Sequence, residues 1–481
     1  MSTIPESLWN AFNHAGQSSV FRYWDDLDET QQQALLEQAR QIDLEELQQI
    51  CGEVLSDTAT QSSLDFGNLE PAPYLSWPHD DQSHQQWRKA REDGEAAIRA
   101  DRVAAFTVAG GQGTRLGFDG PKGTFPITPV RESTLFQVLA EKILFVNRYY
   151  GSHIPWFIMT SELNHETTVA FFEEHAFFGL DPERVHFFRQ GLMPAVDEQG
   201  TIILETPSRI AMSPDGHGGS LRALVRSGTI EQLEEEGRDI ISYFQVDNPL
   251  VKAIDPAFIG FHLQEGSQLS SKMIPKAYPE EKVGHFCTRK DGKLCVVEYS
   301  DLPDELAKAK DGQGRLRFRS GSIAIHVMDR DFVKELGGDQ TATKLPFHRA
   351  HKKVPHVDEQ GNTQNPEEPN GYKFEMFVFD AIPFAHHPIV VETKREEEFS
   401  PVKNAEGKDS PQSCREELLR QYTRWLQHAG VEWPADDEGL PTTPIEISAS
   451  FAMDDETFAE QWKALDPKPE LSANAVIEPI E

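Results

Sequence analysis

Between residues 96 and 395, the sequence alternates short apolar runs with amphipathic helical segments. Several of the apolar runs lack the strict alternation of a half-exposed strand, which is typical of strands buried on both faces. Helical patterns such as STLFQVLAEKILFVNRYYG and NHETTVAFFEEHAFFG lie between them. Strand, helix and strand in repetition predict an α/β domain whose mixed, mostly parallel sheet is flanked by helices. The predicted strands are RVAAFTVAGG, IPWFIMTS, RVHFFRQG, DIISYFQVDN and HPIVVETKRE.

Two smaller regions flank this domain. The N-terminal region is acidic, and DETQQQALLEQARQIDLEELQQICGEVL carries apolar residues at helical spacing. The next stretch, NLEPAPYLSWPHDDQSHQQW, is interrupted by prolines and is interpreted as a linker. Near the C-terminus, KNAEGKDSPQS predicts an exposed loop, CREELLRQYTRWLQHAG a helix and PIEISASFAMDDE a short strand. We therefore predict a helical N-terminal region (1–95), a large α/β domain (96–395) and a small C-terminal domain (396–481).

The charge of the chain limits its partners. The 481 residues carry a formal net charge of −33, which should repel nucleic acid and anionic membranes. An anionic metabolite would also be repelled unless a site concentrates the few cations. The four cysteines are too few and too scattered for a disulfide framework or a zinc site. With no secretory pattern and no long apolar run, the sequence predicts a cytoplasmic protein.

The loop VAGGQGTRLGFDGPKGTFPI follows the first predicted strand of the sheet, at the edge where such sheets bind ligands. Glycines allow backbone N–H groups to approach phosphate oxygens closely. The spacing G-x-G-x-x-x-G from Gly111 is one residue away from the dinucleotide fingerprint, and Lys122 lacks the flanking residues of a P-loop. Arg115 and Lys122 place two cations on the loop, which suits a triphosphate. The alternative is a glycine-rich turn that binds no ligand.

This loop and several later motifs resemble, in the same order, those of the eukaryotic-type UDP-sugar pyrophosphorylases, most closely the UDP-N-acetylglucosamine pyrophosphorylases. The resemblance implies a Rossmann-like nucleotidyltransferase fold in the domain 96–395. It also implies attack of a sugar 1-phosphate on the α-phosphorus of UTP, with release of pyrophosphate. The later motifs are IPWFIMTS, FFRQGLMPAVDEQGTIILE, MSPDGHGGSLRAL, VDNPLVKAIDPAFIGF, KVGHFC, VVEYSD, NGYKFEMFVFD and REEEFSPVKNA.

The resemblance assigns catalytic and nucleotide contacts residue by residue. Arg115 and Lys122 are expected to face the phosphates, and Lys403 the phosphate that joins the two halves of the product. Read by position alone, Lys122 and Lys403 would be solvated lysines. The residues expected at the nucleotide are Gly110 and Gly111 through their backbone, Gln190 at the uracil edge, and Pro214 and Gly216 in a second loop of close approach.

Asp247 ends a predicted buried strand. A carboxylate there is costly unless it is paired or binds a metal. Mg²⁺ typically takes one or two carboxylates together with substrate phosphates, and the resemblance places it on this residue, with Mn²⁺ as an alternative metal. The competing interpretation is an aspartate that caps the following turn.

The sugar pocket departs from the family pattern at two positions. The resemblance assigns sugar contacts to Glu298, Phe377 and Phe379. Members specific for N-acetylhexosamine read PDGNGG where this chain has His217, and NAGN where it has RSGS with Ser322. Because a pocket without its polar partner discriminates weakly, glucose, galactose or a uronic acid are alternatives to N-acetylglucosamine. Arg319, in RSGS, suits a sugar carboxylate or points to solvent.

Two readings from other classes compete with this one. A non-catalytic uridine-nucleotide-binding protein is disfavoured because Arg115, Lys122, Asp247 and Lys403 are all present. A dehydrogenase is disfavoured by the glycine spacing. The sequence does not predict an oligomeric state.

Overall fold

The computed structural model describes residues 3–55, 65–338, 345–469 and 471–479. Its internal contacts divide the chain into two units, each assembled from three segments of the sequence. The ranges 1–95, 96–395 and 396–481 stay a prediction. The first unit contains Met1–Asp65, Gln190–Arg222 and Ala342–Asp380, and the second contains Phe66–Arg189, Ala223–Thr341 and Ala381–Glu481.

A mixed sheet, ten-stranded within the described residues, forms the centre of the second unit. Its strands Val185–Arg189, Trp156–Thr160, Val103–Val108 and Ile240–Gln245 are adjacent in that order and parallel. The strand Ser320–Asp329 pairs antiparallel with the last of these. The other strands of the sheet are Glu70–Pro71, Leu269–Pro275, His285–Thr288, Leu294–Val297 and Ile389–Glu392.

Helices flank the sheet and complete its core. Leu135–Tyr150 begins after Thr134, whose hydroxyl accepts from the N–H of Gln137, and ends at Gly151 with φ 67°. Most of its residues are buried. These features confirm the predicted mixed α/β sheet flanked by helices. The other helices of the second unit are Asp81–Arg99, His165–Glu174, Thr229–Glu235, Pro256–Gln264, Asp304–Ala307, Arg330–Gly337, Arg395–Glu398, Pro411–His428 and Asp455–Ala464.

The predicted linker is partly helical. Asp80 accepts from the N–H of Ser83 at 2.8 Å, and Ser83 Oγ accepts from the N–H of Asp80 at 3.0 Å. This capping box starts the helix Asp81–Arg99. The linker interpretation is therefore wrong from Asp81 onward, because the prolines that suggested it all precede the helix.

Two helices of the second unit touch through their backbones. Gly94 lies in Asp81–Arg99 and Gly260 in Pro256–Gln264. A Cβ on Gly260 would stand 1.7 Å from Ala90 O, which is backbone. Both positions therefore accept glycine alone without a shift of a helix.

The C-terminal part contains the predicted helix, observed as Pro411–His428, and the predicted strand, observed as Ile445–Ile447. That strand pairs in parallel with Ala475–Ile477, which the sequence analysis did not predict. Parallel pairing between segments this far apart leaves no local signal such as a hairpin turn.

The first unit has its own core of apolar side chains. The helices Glu6–His14, Glu29–Arg40 and Leu44–Val54 confirm the helical prediction for the N-terminal region. The helix Gly219–Arg226 contains the unit boundary at residue 222. Across the described ranges, every helix is too short or too polar to cross a lipid bilayer. The strands of this unit are Leu192–Pro194, Leu204–Thr206, Arg209–Ile210, Met212–Pro214, His348–Lys352, His356–Val357, Thr363–Gln364 and Gly371–Glu375.

Candidate active site

The glycine-rich loop is closed by its own backbone. Gly113 N–H donates to Gly120 O at 2.9 Å, and Lys122 N–H donates to Gly111 O at 3.0 Å. Gly117 has φ 69° and Gly120 φ 144°, a region that favours glycine. Gly111 is exposed, and no protein atom lies within 4 Å of the position that its Cβ would occupy. The fold thus leaves room for a ligand beside this backbone.

A buried asparagine holds the loop from the neighbouring strand. Asn164 follows Trp156–Thr160, and its Nδ2 donates to Ala109 O at 3.0 Å and to Gly111 O at 3.3 Å. Its Oδ1 accepts from the N–H of Ser161 at 2.8 Å. Asn164 is not among the predicted site residues, although an asparagine just after a buried strand at the ligand edge indicates a residue that can hold a neighbouring loop.

Lys122 and Asp247 lie together beyond the end of the central strand Ile240–Gln245, and the backbone next to Lys403 is attached to Asp247. Lys122 Nζ lies 3.4 Å from Asp247 Oδ2, and the two side chains are 16% and 13% exposed. Asp247 O accepts from the N–H of Val402 at 2.8 Å, which attaches the Lys403 segment to the same strand end. Lys403 N–H in turn donates to Asp409 O at 2.7 Å. Lys403 is half-buried on an anchored backbone, so the exposed loop predicted from KNAEGKDSPQS begins only after it.

The pKa of Asp409 depends on the charged groups around it. Burial raises the pKa of Asp409, Lys403 opposes that rise, and the carboxylates of Glu281 and Asp247 add to it. Arg115 lies in the short turn Thr114–Leu116 of the glycine loop and is exposed. In the part of the chain that the structure describes, no carboxylate lies within ion-pair distance of Arg115. Its guanidinium is therefore accessible to an anionic ligand.

Two sugar-binding candidates, Ser322 and Glu298, lie on either side of the strand His285–Thr288 in the second unit. Ser322 N–H donates to Gly284 O at 2.8 Å, and a Cβ on Gly284 would stand 3.8 Å from Glu298 Oε1. The next residue, His285, accepts through Nε2 from Lys276 Nζ at 2.6 Å. Burial and, as the second cause, the nearby ammonium of Lys276 lower the pKa of His285 to about 4. His285 is therefore neutral near pH 7.

Arg319 does not point freely to solvent. Its guanidinium lies 3.7 Å from Glu392 Oε1, and the two side chains are 21% and 15% exposed. A sugar carboxylate would have to compete with this carboxylate, which weakens the interpretation of Arg319 as a partner for a uronic acid.

The loop SPDGHGG lies in the first unit and packs on a distant backbone segment. Met376 N–H donates to Asp215 O, and Gly218 N–H donates to Met376 O, both at 2.8 Å. Gly216 has φ 83°, and a Cβ there would stand 2.4 Å from Met376 O. Its glycine is therefore required by the packing, independently of any ligand. The nucleotide-binding candidates of this unit are Gln190, Pro214 and Gly216, whose roles stay a prediction.

The aromatic sugar-binding candidates form one group in the first unit. The ring centroid of His217 lies 5.3 Å from that of Phe377 and 5.8 Å from that of Phe379, and the two phenyl rings are 5.1 Å apart. His217 Nδ1 accepts from the N–H of Val378 at 3.1 Å. In the neutral ring the proton therefore lies on Nε2, and that edge is a hydrogen-bond donor.

A further histidine that the sequence analysis missed extends this group. The ring of His348 stacks on Phe377 with centroids 4.6 Å apart. Its Nε2 lies 2.7 Å from Asp380 Oδ2. No pattern singles it out beforehand, because His348 is one of several histidines in HRAHKKVPH.

Asp247 is the carboxylate predicted to bind a metal. Asp247 is partly buried and lies beside the glycine loop through Lys122. Among the described residues, no group of three or more His, Cys, Asp or Glu is arranged around a common metal position. One protein carboxylate completed by phosphate oxygens and water is a typical Mg²⁺ arrangement, so these residues fit that ion.

Comparison with known proteins extends the likeness over most of the chain. The sequence profile of the UTP–glucose-1-phosphate uridylyltransferase family matches residues 44–455. The chain is 39% identical over 450 residues to UDP-N-acetylhexosamine pyrophosphorylase-like protein 1 of Xenopus tropicalis, covering 91% of this chain and 87% of that protein. It is 37% identical over 440 residues to the UDP-N-acetylglucosamine pyrophosphorylase of Saccharomyces cerevisiae, covering 87% of this chain and 91% of that protein. The crystal structure of the uridine diphosphate N-acetylglucosamine pyrophosphorylase of Trypanosoma brucei in complex with inhibitor superposes with a TM-score of 0.81 at 26% identity, covering 100% of this chain and 99% of that chain.

Proposed function

The chain belongs to the UTP–glucose-1-phosphate uridylyltransferase family, and we propose that it forms UDP-N-acetylglucosamine and pyrophosphate from UTP and N-acetylglucosamine 1-phosphate. The observation that carries the proposal is the ion pair of Lys122 with Asp247 beside an open glycine loop, with the backbone segment of Lys403 bonded to Asp247. This arrangement concentrates cations where a chain of net charge −33 would otherwise repel a triphosphate.

The reaction needs positioning and charge compensation rather than covalent help from the protein. A phosphate oxygen of the sugar 1-phosphate bonds to the α-phosphorus of UTP while the bond from that phosphorus to the pyrophosphate oxygen breaks. Lys122 Nζ lies 3.4 Å from Asp247 Oδ2, near the upper limit of hydrogen-bond length. Because an ammonium has three N–H donors, Lys122 retains donors for phosphate oxygens. Arg115 offers a fork of donors to the leaving pyrophosphate, and Lys403 offsets the charge of the incoming phosphate.

As part of this proposal, Asp247 and the phosphates of UTP hold Mg²⁺, with Mn²⁺ as an alternative. The ion, when bound, would supply positive charge to the phosphate oxygens. Asp247 is supported for this role by its partial burial and by its backbone, which Val402 fixes through a hydrogen bond to the carbonyl. Asp247→Asn should weaken Mg²⁺ binding by UTP-loaded protein in a titration, with UTP binding in the absence of metal little changed.

The identity of the sugar rests on the relatives and on the aromatic group around His217. The name of the Xenopus protein supports an N-acetylhexosamine, and the name of the yeast protein supports N-acetylglucosamine. The Nε2 edge of His217 donates only, whereas an asparagine amide would donate and accept. A pocket with an asparagine at this position could both donate to and accept from the acetamido group. We therefore expect this chain to discriminate less strongly against glucose and galactose 1-phosphates than such a pocket would.

The test measures pyrophosphate release from UTP and Mg²⁺ with the 1-phosphates of N-acetylglucosamine, N-acetylgalactosamine, glucose, galactose and glucuronic acid. Release mainly with the N-acetylated pair is expected. Release mainly with glucose or galactose would overturn the sugar assignment and retain the reaction. Silence across the panel, with UTP still bound, would favour a non-catalytic nucleotide-binding protein. The same assay is applied to Lys122→Ala, which should lower pyrophosphate release. Lys334→Ala is its matched control, because Lys334 pairs on the surface with Glu234 and not with Asp247.

We also propose that the protein acts in the cytoplasm. Cys287 and Cys295 lie opposite each other on paired strands, yet neither they nor the other two cysteines are joined in a disulfide bond, which suits a reducing compartment. Fractionation of the source cells tests this location.

A further inference from the structure

Two buried charges of opposite sign lie behind the strand end that carries Asp247. Lys272 is 2% exposed and Glu398 1% exposed. Lys272 Nζ donates to Glu398 Oε1 at 2.6 Å and to Asp255 Oδ2 at 2.6 Å. A buried ion pair of this kind adds little net stability over apolar residues of the same size, because desolvation offsets the attraction. Stability alone is therefore a weak reason for its presence.

The backbone around Glu398 is bonded directly to the strand end. Asn248, which follows Asp247, donates from Nδ2 to Glu398 O at 2.7 Å, and its Oδ1 accepts from the N–H of Ser400 at 3.1 Å. Two residues further on, Val402 N–H donates to Asp247 O. The segment 398–402 is thus bound at three successive points to the residues that end the strand.

The side chain of Glu398 is fixed as firmly as its backbone. Thr393 Oγ1 donates to Glu398 Oε1 at 2.7 Å. On the other side of Lys272, Asp255 accepts from the first N–H groups of the helix Pro256–Gln264. Burial alone would raise the pKa of Asp255, but the nearby ammonium groups, that of Lys272 first, lower it to about 2. Both carboxylates therefore face a charged Lys272 in fixed positions.

We propose that Glu398 is a positioning residue, held by Lys272 and Thr393, that sets the place of Lys403 relative to Asp247. The inference rests on the proposed function, because it concerns how Lys403 reaches the phosphate. The backbone position of Lys403 sets the region that its ammonium can reach. That backbone is fixed by the segment 398–402, and a misplacement of about 1 Å in such a group can lower the rate by about 10²-fold.

A double-mutant cycle between Glu398 and Lys403 tests the proposal. Lys403→Met should lower kcat by about 10²-fold, as the loss of one charge-stabilising donor does. Glu398→Gln should lower kcat by about 10-fold with the KM for UTP little changed, because it displaces Lys403 without removing its ammonium. If Glu398 acts through Lys403, the double variant should be no slower than Lys403→Met alone. Multiplying effects, about 10³-fold in the double variant, would overturn the proposal.

Glu446→Gln is the matched control. Glu446 is fully buried and pairs with Arg131 Nε at 2.8 Å, so its loss also removes a buried partner in the same unit. It should lower the melting temperature without changing kcat. If Glu446→Gln lowers kcat as much as Glu398→Gln, the effect is general destabilisation and the proposal fails.

Two further measurements cover the remaining cases. Thr393→Val removes one hydroxyl at nearly constant volume, and it replaces Glu398→Gln in the cycle if that variant does not fold. Hydrogen exchange of the backbone at residues 400–404 should speed up in Glu398→Gln and stay unchanged in Glu446→Gln. Inactivity of the wild-type protein on every sugar would refute the proposed function alone, whereas unchanged exchange in Glu398→Gln would overturn the positioning role.

Discussion

Gly123 follows Lys122 in the glycine loop, and an alanine there should disable the loop without touching a ligand. Its Cβ would stand 2.1 Å from Phe136 Cε2. Since carbon atoms in contact lie about 3.5–4.0 Å apart, a shift of about 1.4 Å is needed. Phe136 is fully buried against Phe172 and Trp156, with ring centroids 5.0 and 6.4 Å away, so the turn must move and not the ring.

This displacement gives two expected magnitudes for Gly123→Ala. Overpacking should lower the free energy of unfolding by about 1–3 kcal/mol, measured by urea denaturation. Moving Lys122 by about 1 Å should lower kcat by about 10²-fold, measured by pyrophosphate release. Gly111→Ala is the control, because its Cβ meets no protein atom: the free energy of unfolding should change by less than about 0.5 kcal/mol while UTP binding weakens. Wild-type stability and turnover in Gly123→Ala would refute the packing argument.

Three further outcomes are expected. Lys122→Ala and Arg115→Ala should each lower turnover by about 10²–10³-fold with the fold intact, and near-normal turnover would remove that residue from the mechanism. Gly260→Ala should lower the free energy of unfolding by about 1–3 kcal/mol, because its Cβ would overlap Ala90 O; an unchanged urea midpoint would contradict the contact. The folded pKa of His285, about 4, lies below its unfolded value of 6.5, so the unfolded chain binds more protons between these values. The stability from the neutral ring is complete above pH 6.5 and is lost as the pH falls toward 4, by up to about 3 kcal/mol; His285→Gln should flatten this part of the pH–stability curve, and an unaltered slope would refute the assignment.

The approach of Lys122 to Asp247 was predictable from the sequence. The strands Val103–Val108 and Ile240–Gln245 are both long apolar runs, and a parallel pair places their carboxyl ends at one edge. The loop that follows the first strand and the residues that follow the second therefore lie at the same edge of the sheet. The same reasoning does not reach Lys403, because the strand before it, Ile389–Glu392, is separated from Ile240–Gln245 by two other strands, and the place of Lys403 depends on bonds to residues about 150 positions earlier.

The loop SPDGHGG shows that the same glycine motif can serve packing as well as a ligand. Its glycines suggest close approach to a ligand, but Gly216 and Gly218 touch the backbone of Met376 and Phe377. Only the folded first unit, assembled from three separate segments, brings these residues together. A glycine pattern identifies a crowded backbone, and the sequence alone does not say whether a substrate or the protein crowds it.

The buried lysines near the site do not supply the charge that would attract UTP. The chain has only 46 basic residues against 79 acidic ones, yet it places Lys272 in its interior, where the carboxylates of Glu398 and Asp255 offset its charge. Lys142 donates to Pro249 O at 2.5 Å and to Val251 O at 2.6 Å, in the loop that follows Asp247, and burial lowers its pKa to about 7. Neither lysine therefore adds a full net positive charge behind the site. The attraction of UTP should depend instead on Arg115, Lys122 and Lys403, the cations expected to face its phosphates.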